Sequence, residues 1–145
     1  MAAISNYLQN KIIDQLLRGQ AYAFPATVYV GLTTTAETAA AGGTEVVGGG
    51  YARVAVAASL ADWAGTQGAG TTVASTGTSG TTSNNAAITF PVPTAAWGQV
   101  VSLRVMDALT GGNLLFFGAL TAPKTINNGD PAPDFPIGAL DFSLA

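Results

Sequence analysis

Only one segment of this chain repeats its apolar residues at helical spacing, and after Pro25 the periodicity switches to two. That contrast limits the fold to a β architecture carrying a single helix. Ile4, Leu8, Ile12 and Leu16 recur every four residues, with Ile13 and Leu17 widening the stripe. Asn6, Gln9, Asn10, Asp14, Gln15 and Arg18 take the opposite face. Ser5 supplies an N-cap, Asp14 and Arg18 an i,i+4 pair and Gly19 a left-handed stop, so the spacing predicts a helix over about residues 5–18. The stripe suits a helix laid across the mouth of a sheet, or one docked on a neighbouring subunit. The first arrangement is expected, because a helix this short is marginal without packing.

Downstream, Val28, Val30 and Leu32 share one face of a strand, with Thr27 and Tyr29 on the other. Val54 and Val56 repeat the pattern, and Ala87 to Phe90, Val100 to Met106, Leu114 to Leu120 and Leu140 to Leu144 continue it. Leu114 to Phe117 is unbroken apolar, which suits a strand buried on both faces. Gly111-Gly112 separates two strands, and Asn128-Gly129 is a strong hairpin signal. The predicted fold is mainly β: an antiparallel β-sandwich or barrel over about residues 26–145 with one N-terminal amphipathic α-helix, in a single domain spanning 1–145. Residues 36–50 and 64–85 resist this scheme. They are long and rich in small residues, but lack the charge of a soluble disordered tail, and are read as arms that order against neighbours.

Histidine and cysteine are both absent, which removes the usual proton shuttle at neutral pH and the strongest ready nucleophile. Five cations against eight carboxylates, a net charge of −3, argue against a nucleic-acid partner. No run approaches a membrane span, and Met1 to Ile4 lacks the basic start of a secretory leader. Charged residues make up only 9% of the chain, a deficit that suits a protein assembled against other protein. No catalytic constellation emerges. Gly48 to Gly50 is followed by no Gly-Lys-Ser/Thr, so a phosphate loop is excluded. Asp107, Asp130, Asp134 and Asp141 lack the alternate spacing of a calcium loop, and turn capping accounts for them better. No catalytic, cofactor or metal residue is therefore expected. Arg53 and Arg104 lie in strand-like segments, where each needs a carboxylate if it faces inward and only water if it faces out. Glu45 is the candidate partner for Arg53. Trp63 and Trp97 could serve as stacking platforms of a carbohydrate-binding module.

Four stretches carry a resemblance: MAAISNYLQNKIIDQLLRGQAYAFPATVYVGLTT, GGTEVVGGGYARVAV, SNNAAITFPVPTAAWGQV and TGGNLLFFGALTAPKTINNGD. Together they resemble a family of small bacteriophage virion proteins commonly labelled tail fibre proteins. The likeness runs from the helix to the final strand, although the tract from about Gly65 to Thr82 is extra. It implies a non-enzymatic virion component, assembled in the bacterial host cytoplasm and working as a homo-oligomer or in many copies on a symmetric lattice. It also implies that Glu45, Gly48 to Tyr51, Arg53 and Trp97-Gly98 belong to a shared scaffold. Glu45, Tyr51, Arg53, Trp63, Trp97 and Arg104 are thus the candidate scaffold or interface residues. With neither coiled-coil heptads nor a fibrous repeat, the sequence places a capsid decoration (cement) protein on the major capsid protein ahead of a tail-fibre or tail-associated role, and a carbohydrate-binding module last.

Overall fold

A computed structural model describes residues 2–144. Strand β1 (Ala3–Ile4) leads directly into helix α1 (Asn6–Leu17). Ser5 does two jobs at that junction: its hydroxyl accepts from Leu8 N at 3.1 Å and donates to Leu114 O, fixing the helix start to the sheet. Arg18 closes the far end through Asp14 O, and the Arg18–Asp14 ion pair at 3.0 Å forms as the spacing predicts. The apolar stripe, however, is covered only along its first half, where Ile4 and Ile12 are half-buried. Leu8 is buried, whereas Ile13, Leu16 and Leu17 face solvent. The reason is geometric: the helix is tethered by its first turn, and its later turns run past the material that could cover them.

The main sheet has the order β1-β7-β6-β2-β3, with β2 Thr27–Thr33, β3 Val54–Ala57, β6 Gly98–Met106 and β7 Leu114–Ile126, every pair antiparallel. It is open, since β1 and β3 are separate edges, so the barrel alternative does not apply. Register places Val30 opposite Val105 and Val105 opposite Phe116, and the period-two alternation puts Val28, Leu32 and Leu103 on that same core face. Asp107 shapes the β6–β7 hairpin by accepting from Asn113 N at 2.6 Å and Asn113 Nδ2 at 2.9 Å. Strand β7 runs past the predicted end at Leu120. It does so by carrying extra residues between Ala119 and Lys124, where Pro123 sits without needing a ladder N–H.

A second layer of two short pairs covers the core face: β4 (Thr81–Ser83) with β9 (Asp141–Ser143), and β5 (Ile88–Thr89) with β8 (Asp134–Phe135). The architecture is therefore sandwich-like, mainly β with one N-terminal helix. Asn128-Gly129 forms a turn, with Asp130 accepting from Asn127 N at 2.7 Å, but not the predicted hairpin. The next strand, β8, pairs with β5 instead of returning along β7. Pro131, Pro133 and Pro136 strip from this stretch the donors that a long ladder needs.

Both segments read as arms are held by their own chain. In the 64–85 tract Thr71 Oγ1 accepts from Gly65 N at 2.8 Å, Ser79 Oγ donates to Thr66 O at 2.9 Å and Gln67 Nε2 donates to Ala74 O at 2.7 Å. The tract ends inside the second layer, where Asn84 is wholly buried. Asn84 Nδ2 donates to Ala86 O and Pro136 O, each at 2.9 Å, and its Oδ1 accepts from Leu140 N at 2.9 Å. Leu140, just before β9, and Phe142 within it close the core, but Leu144, expected to continue the apolar face, lies beyond the strand and is exposed.

Phe142 packs edge-to-face on Trp63 and Phe116, each with ring centroids 5.4 Å away. Replacing it by Ala is expected to cost about 3–5 kcal/mol, whereas exposed Asp141→Ala stays within roughly 0.5 kcal/mol. Urea unfolding of both variants checks the contrast.

Candidate functional site

The face of the main sheet turned away from the core carries the chain's buried charges. Arg104 projects from mid-β6 and lies in register with Gly31 of β2. The missing side chain is essential there. A Cβ on Gly31 would stand 2.8 Å from Tyr51 Oη and 2.9 Å from Glu45 Oε1, so only glycine lets those two groups lie on the sheet.

Residues 34–45 leave β2 and come back beside it. Thr34 N donates to Thr44 O at 2.8 Å, Val46 N donates to Leu32 O at 3.1 Å, and Glu45 bridges to Thr33. This returns Glu45 to the same face as Arg104. The glycine run then turns the chain so that Tyr51 and Arg53, just ahead of β3, reach the same patch. Gly49 has φ 60°, its carbonyl accepts from Trp97 Nε1 at 2.8 Å, and a Cβ would meet Trp97 Cδ1 at 2.8 Å.

The four charges form one chain of ion pairs. Glu45 takes Arg53 in a two-pronged grip, Nε to Oε1 and Nη2 to Oε2, both at 2.7 Å. Its Oε2 also meets Arg104 Nη1 at 3.4 Å. Arg104 continues to Glu37 through Nε at 2.6 Å and through Nη2, and it donates to Gly43 O at 3.1 Å. Arg53 Nη1 reaches the β6–β7 hairpin at Ala108 O, 2.6 Å, and Gly111 O, 2.8 Å. Tyr51 Oη donates to Glu45 Oε1 at 2.8 Å and accepts from Leu32 N at 2.9 Å. Burial pushes the Glu45 carboxyl upward, but hydrogen bonds from Arg53 and Tyr51 and the charges of Arg53 and Arg104 outweigh it and hold the group below its ordinary value of 4.5. Burial, with Glu45 beside it, pushes the Tyr51 hydroxyl well above its usual range. The hydrogen bond to Glu45 raises Arg53 further.

The structure thus brings Glu45, Tyr51, Arg53 and Arg104 together, with Trp97 packed edge-on to Tyr51 at 5.3 Å. Both arginines face inward and are paired, so the solvated alternative is excluded. Glu37 completes the set and is absent from the sequence reading. The signal was present: two inward arginines require two carboxylates, and the chain's only glutamates, Glu37 and Glu45, both lie in the 36–50 segment. Among the described residues no buried side-chain nitrogen or oxygen lacks a partner, so this network is a fastening with its donors already committed. Trp63 stands apart, donating to Ala57 O at 3.0 Å on the core side. Trp97, at 5% exposure, cannot present a face to a sugar, which removes half of the proposed stacking platform.

The contact-ready surface lies elsewhere. Ile13, Leu16, Leu17 and Phe24 are 49%, 75%, 77% and 60% exposed. On a helical wheel Lys11, Asp14 and Arg18 all fall on the arc opposite Ile13, Leu16 and Leu17. The charged arc is occupied by the chain's own return segment. Tyr22 N donates to Gln15 Oε1 at 2.7 Å, the Tyr22 ring packs on Tyr7 and Phe24, and Lys11 lies 5.6 Å from the Tyr7 ring centre. Burial, then Tyr7, raises the Tyr22 hydroxyl to about 12. The opposite arc carries no charge, with Asn6 and Gln9 in its first turns and Ile13, Leu16 and Leu17 in its last.

Removing Arg104 strands the buried Glu37 carboxylate, so Arg104→Met is expected to cost about 3–5 kcal/mol. The double variant Arg104→Met with Glu37→Leu should cost less than Arg104→Met alone. The pH dependence has a definite sign. Glu45 has a folded pKa below its unfolded one, so its contribution is fully present above pH 4.5 and is lost as pH falls through the folded value. Glu45→Gln is expected to lower stability at pH 7 and to flatten its fall below pH 4.5, as read by denaturant melts across pH.

A family model described as "Podophage GP4 fiber I protein gp80" matches residues 3–143. No curated protein matches the chain.

Proposed function

The chain belongs to the podophage GP4 fiber I protein gp80 family, a structural protein of the phage virion, and from that membership we propose that it is a non-enzymatic building block of the tail fibre. The observation that carries the reading is the uncharged, exposed helix face of Ile13, Leu16 and Leu17. Large apolar side chains grouped on one exposed helix face are the kind of surface that protein contacts use. The partner is other copies of this chain, joined after synthesis in the bacterial host cytoplasm. The 9% charged fraction supports the same reading, because it leaves little charge to keep copies apart.

Sequence alone put capsid decoration first, on the lack of heptads or a fibrous repeat. The family's description as a fibre protein supports the tail over the shell, and a fibre can be assembled from compact units as well as from long repeats. The buried charge network supports a non-enzymatic role. Its arginines and glutamates neutralise one another, and its tyrosine is held protonated, so it offers no free acid, base or nucleophile.

Antibody labelling of intact virions tests the location. Label on the tail is expected; label covering the head would return the chain to shell decoration. Leu16→Glu with Leu17→Glu tests the surface. Both positions are exposed, so the melting temperature should move by no more than about 2 °C, while sedimentation should show the assembled species reduced to monomer. Unchanged assembly would remove the helix face from the interface.

A further inference from the structure

Between the two layers lies a cleft unconnected with the charge network. It is lined by Val28, Val105 and Phe116 on the main sheet and by Trp63, Thr82 and Phe142 opposite, and it encloses about 200 Å³. Val105 and Phe142 form its buried floor, while Val28, Trp63, Thr82 and Phe116 are half-buried, so the cleft opens to the surface. Its walls are almost wholly carbon. The one hydroxyl, Thr82 Oγ1, is committed to Ala64 O at 2.6 Å, and Trp63 Nε1 is committed to Ala57 O.

These features decide what the cleft can hold. A bound water needs two to four polar partners, and this lining offers no free donor. Enclosed cavities of about 150 Å³ with the same kind of lining take up benzene or xenon. Water that enters this open cleft finds no partner in its walls, so an apolar occupant that covers them is favoured. The aromatic geometry adds shape. Phe142 stands edge-on between Trp63 and Phe116, interplanar angles 78° and 66°, leaving a wall against which a flat ring can pack. We infer that this cleft is a binding site for a small uncharged apolar molecule the size of one aromatic ring or a short branched alkane. An occupant would touch β2, β6 and β7 on one side and β4 and β9 on the other, and so would clamp the two layers together.

Benzene is the probe. At a concentration well above its dissociation constant it should raise the melting temperature by roughly 5 °C. In NMR spectra it should shift the methyls of Val28 and Val105 and the rings of Trp63 and Phe142, leaving Ile13, Leu16 and Leu17 on the exposed helix unmoved. Phenol, whose hydroxyl would find no partner, should bind roughly tenfold more weakly. Val28→Phe, which fills the cleft from the sheet side, should abolish the benzene response. Should that variant fail to fold, the shifts in the unaltered protein decide alone. Two results would overturn the inference: no benzene-dependent change in melting temperature or at the lining groups, or shifts spread over the helix face. Phenol binding as tightly as benzene would refute the apolar selectivity.

Discussion

The buried chain of charges Arg53–Glu45–Arg104–Glu37 is the constraint on which the far side of the sheet depends. Two arginines rise from neighbouring parts of one sheet face, and neither can be left without a counter-charge in a buried setting. Both glutamates come from the loop that leaves β2, so satisfying the arginines folds that loop onto the sheet. Once Glu45 is held, Val46 pairs with Leu32, Gly49 receives the Trp97 indole and Arg53 grips the β6–β7 hairpin. Four segments far apart in sequence are thus locked by one set of interactions. An apolar cluster could cover the face equally well, but charge pairing with directional hydrogen bonds selects one loop path among many.

The opposite side is held by different physics. There the alternating valines and leucines of the main sheet meet Phe90, Leu140 and Phe142, and the order of the second layer rests on Asn84. This asparagine substitutes for a missing ladder: the proline-rich stretch near β8 cannot supply enough backbone donors, and one buried amide satisfies three backbone groups instead. The thin second layer also leaves the apolar cleft beside Trp63. Short strands cannot cover a five-stranded sheet completely.

Helix α1 belongs to neither layer. Its first turn is pinned through Ser5 and its charged arc is covered by the Tyr22 segment, while Leu16 and Leu17 stay largely in solvent. A helix of this length gains little from backbone hydrogen bonding alone. The anchoring by Ser5 and the aromatic packing of Tyr7, Tyr22 and Phe24 let it persist while Leu16 and Leu17 remain outside. This combination is compatible with the proposed role, in which the exposed end of the helix would meet another copy of the chain.

By itself the sequence determined what local periodicity and capping dictate: helix α1 with its Ser5 cap, the alternating strands β2, β3, β6 and β7, the Gly111-Gly112 hairpin, and Glu45 as the partner for Arg53 in the case that this arginine faces inward. Each follows from spacing or from a charge requirement that neighbours along the chain can express. Tertiary structure decided what depends on partners distant in sequence. Glu37 joined Arg104 only because a loop folded back across Gly31, and Asn84 became a core residue inside a tract that looks like filler. The Asn128-Gly129 turn led away from β7 because the prolines after it denied the ladder. The helix stripe reads as core by its pattern, yet its C-terminal half, Ile13, Leu16 and Leu17, stayed in water. Hydrophobic spacing specifies which side chains share a face, but whether anything covers that face is a property of the whole chain's path.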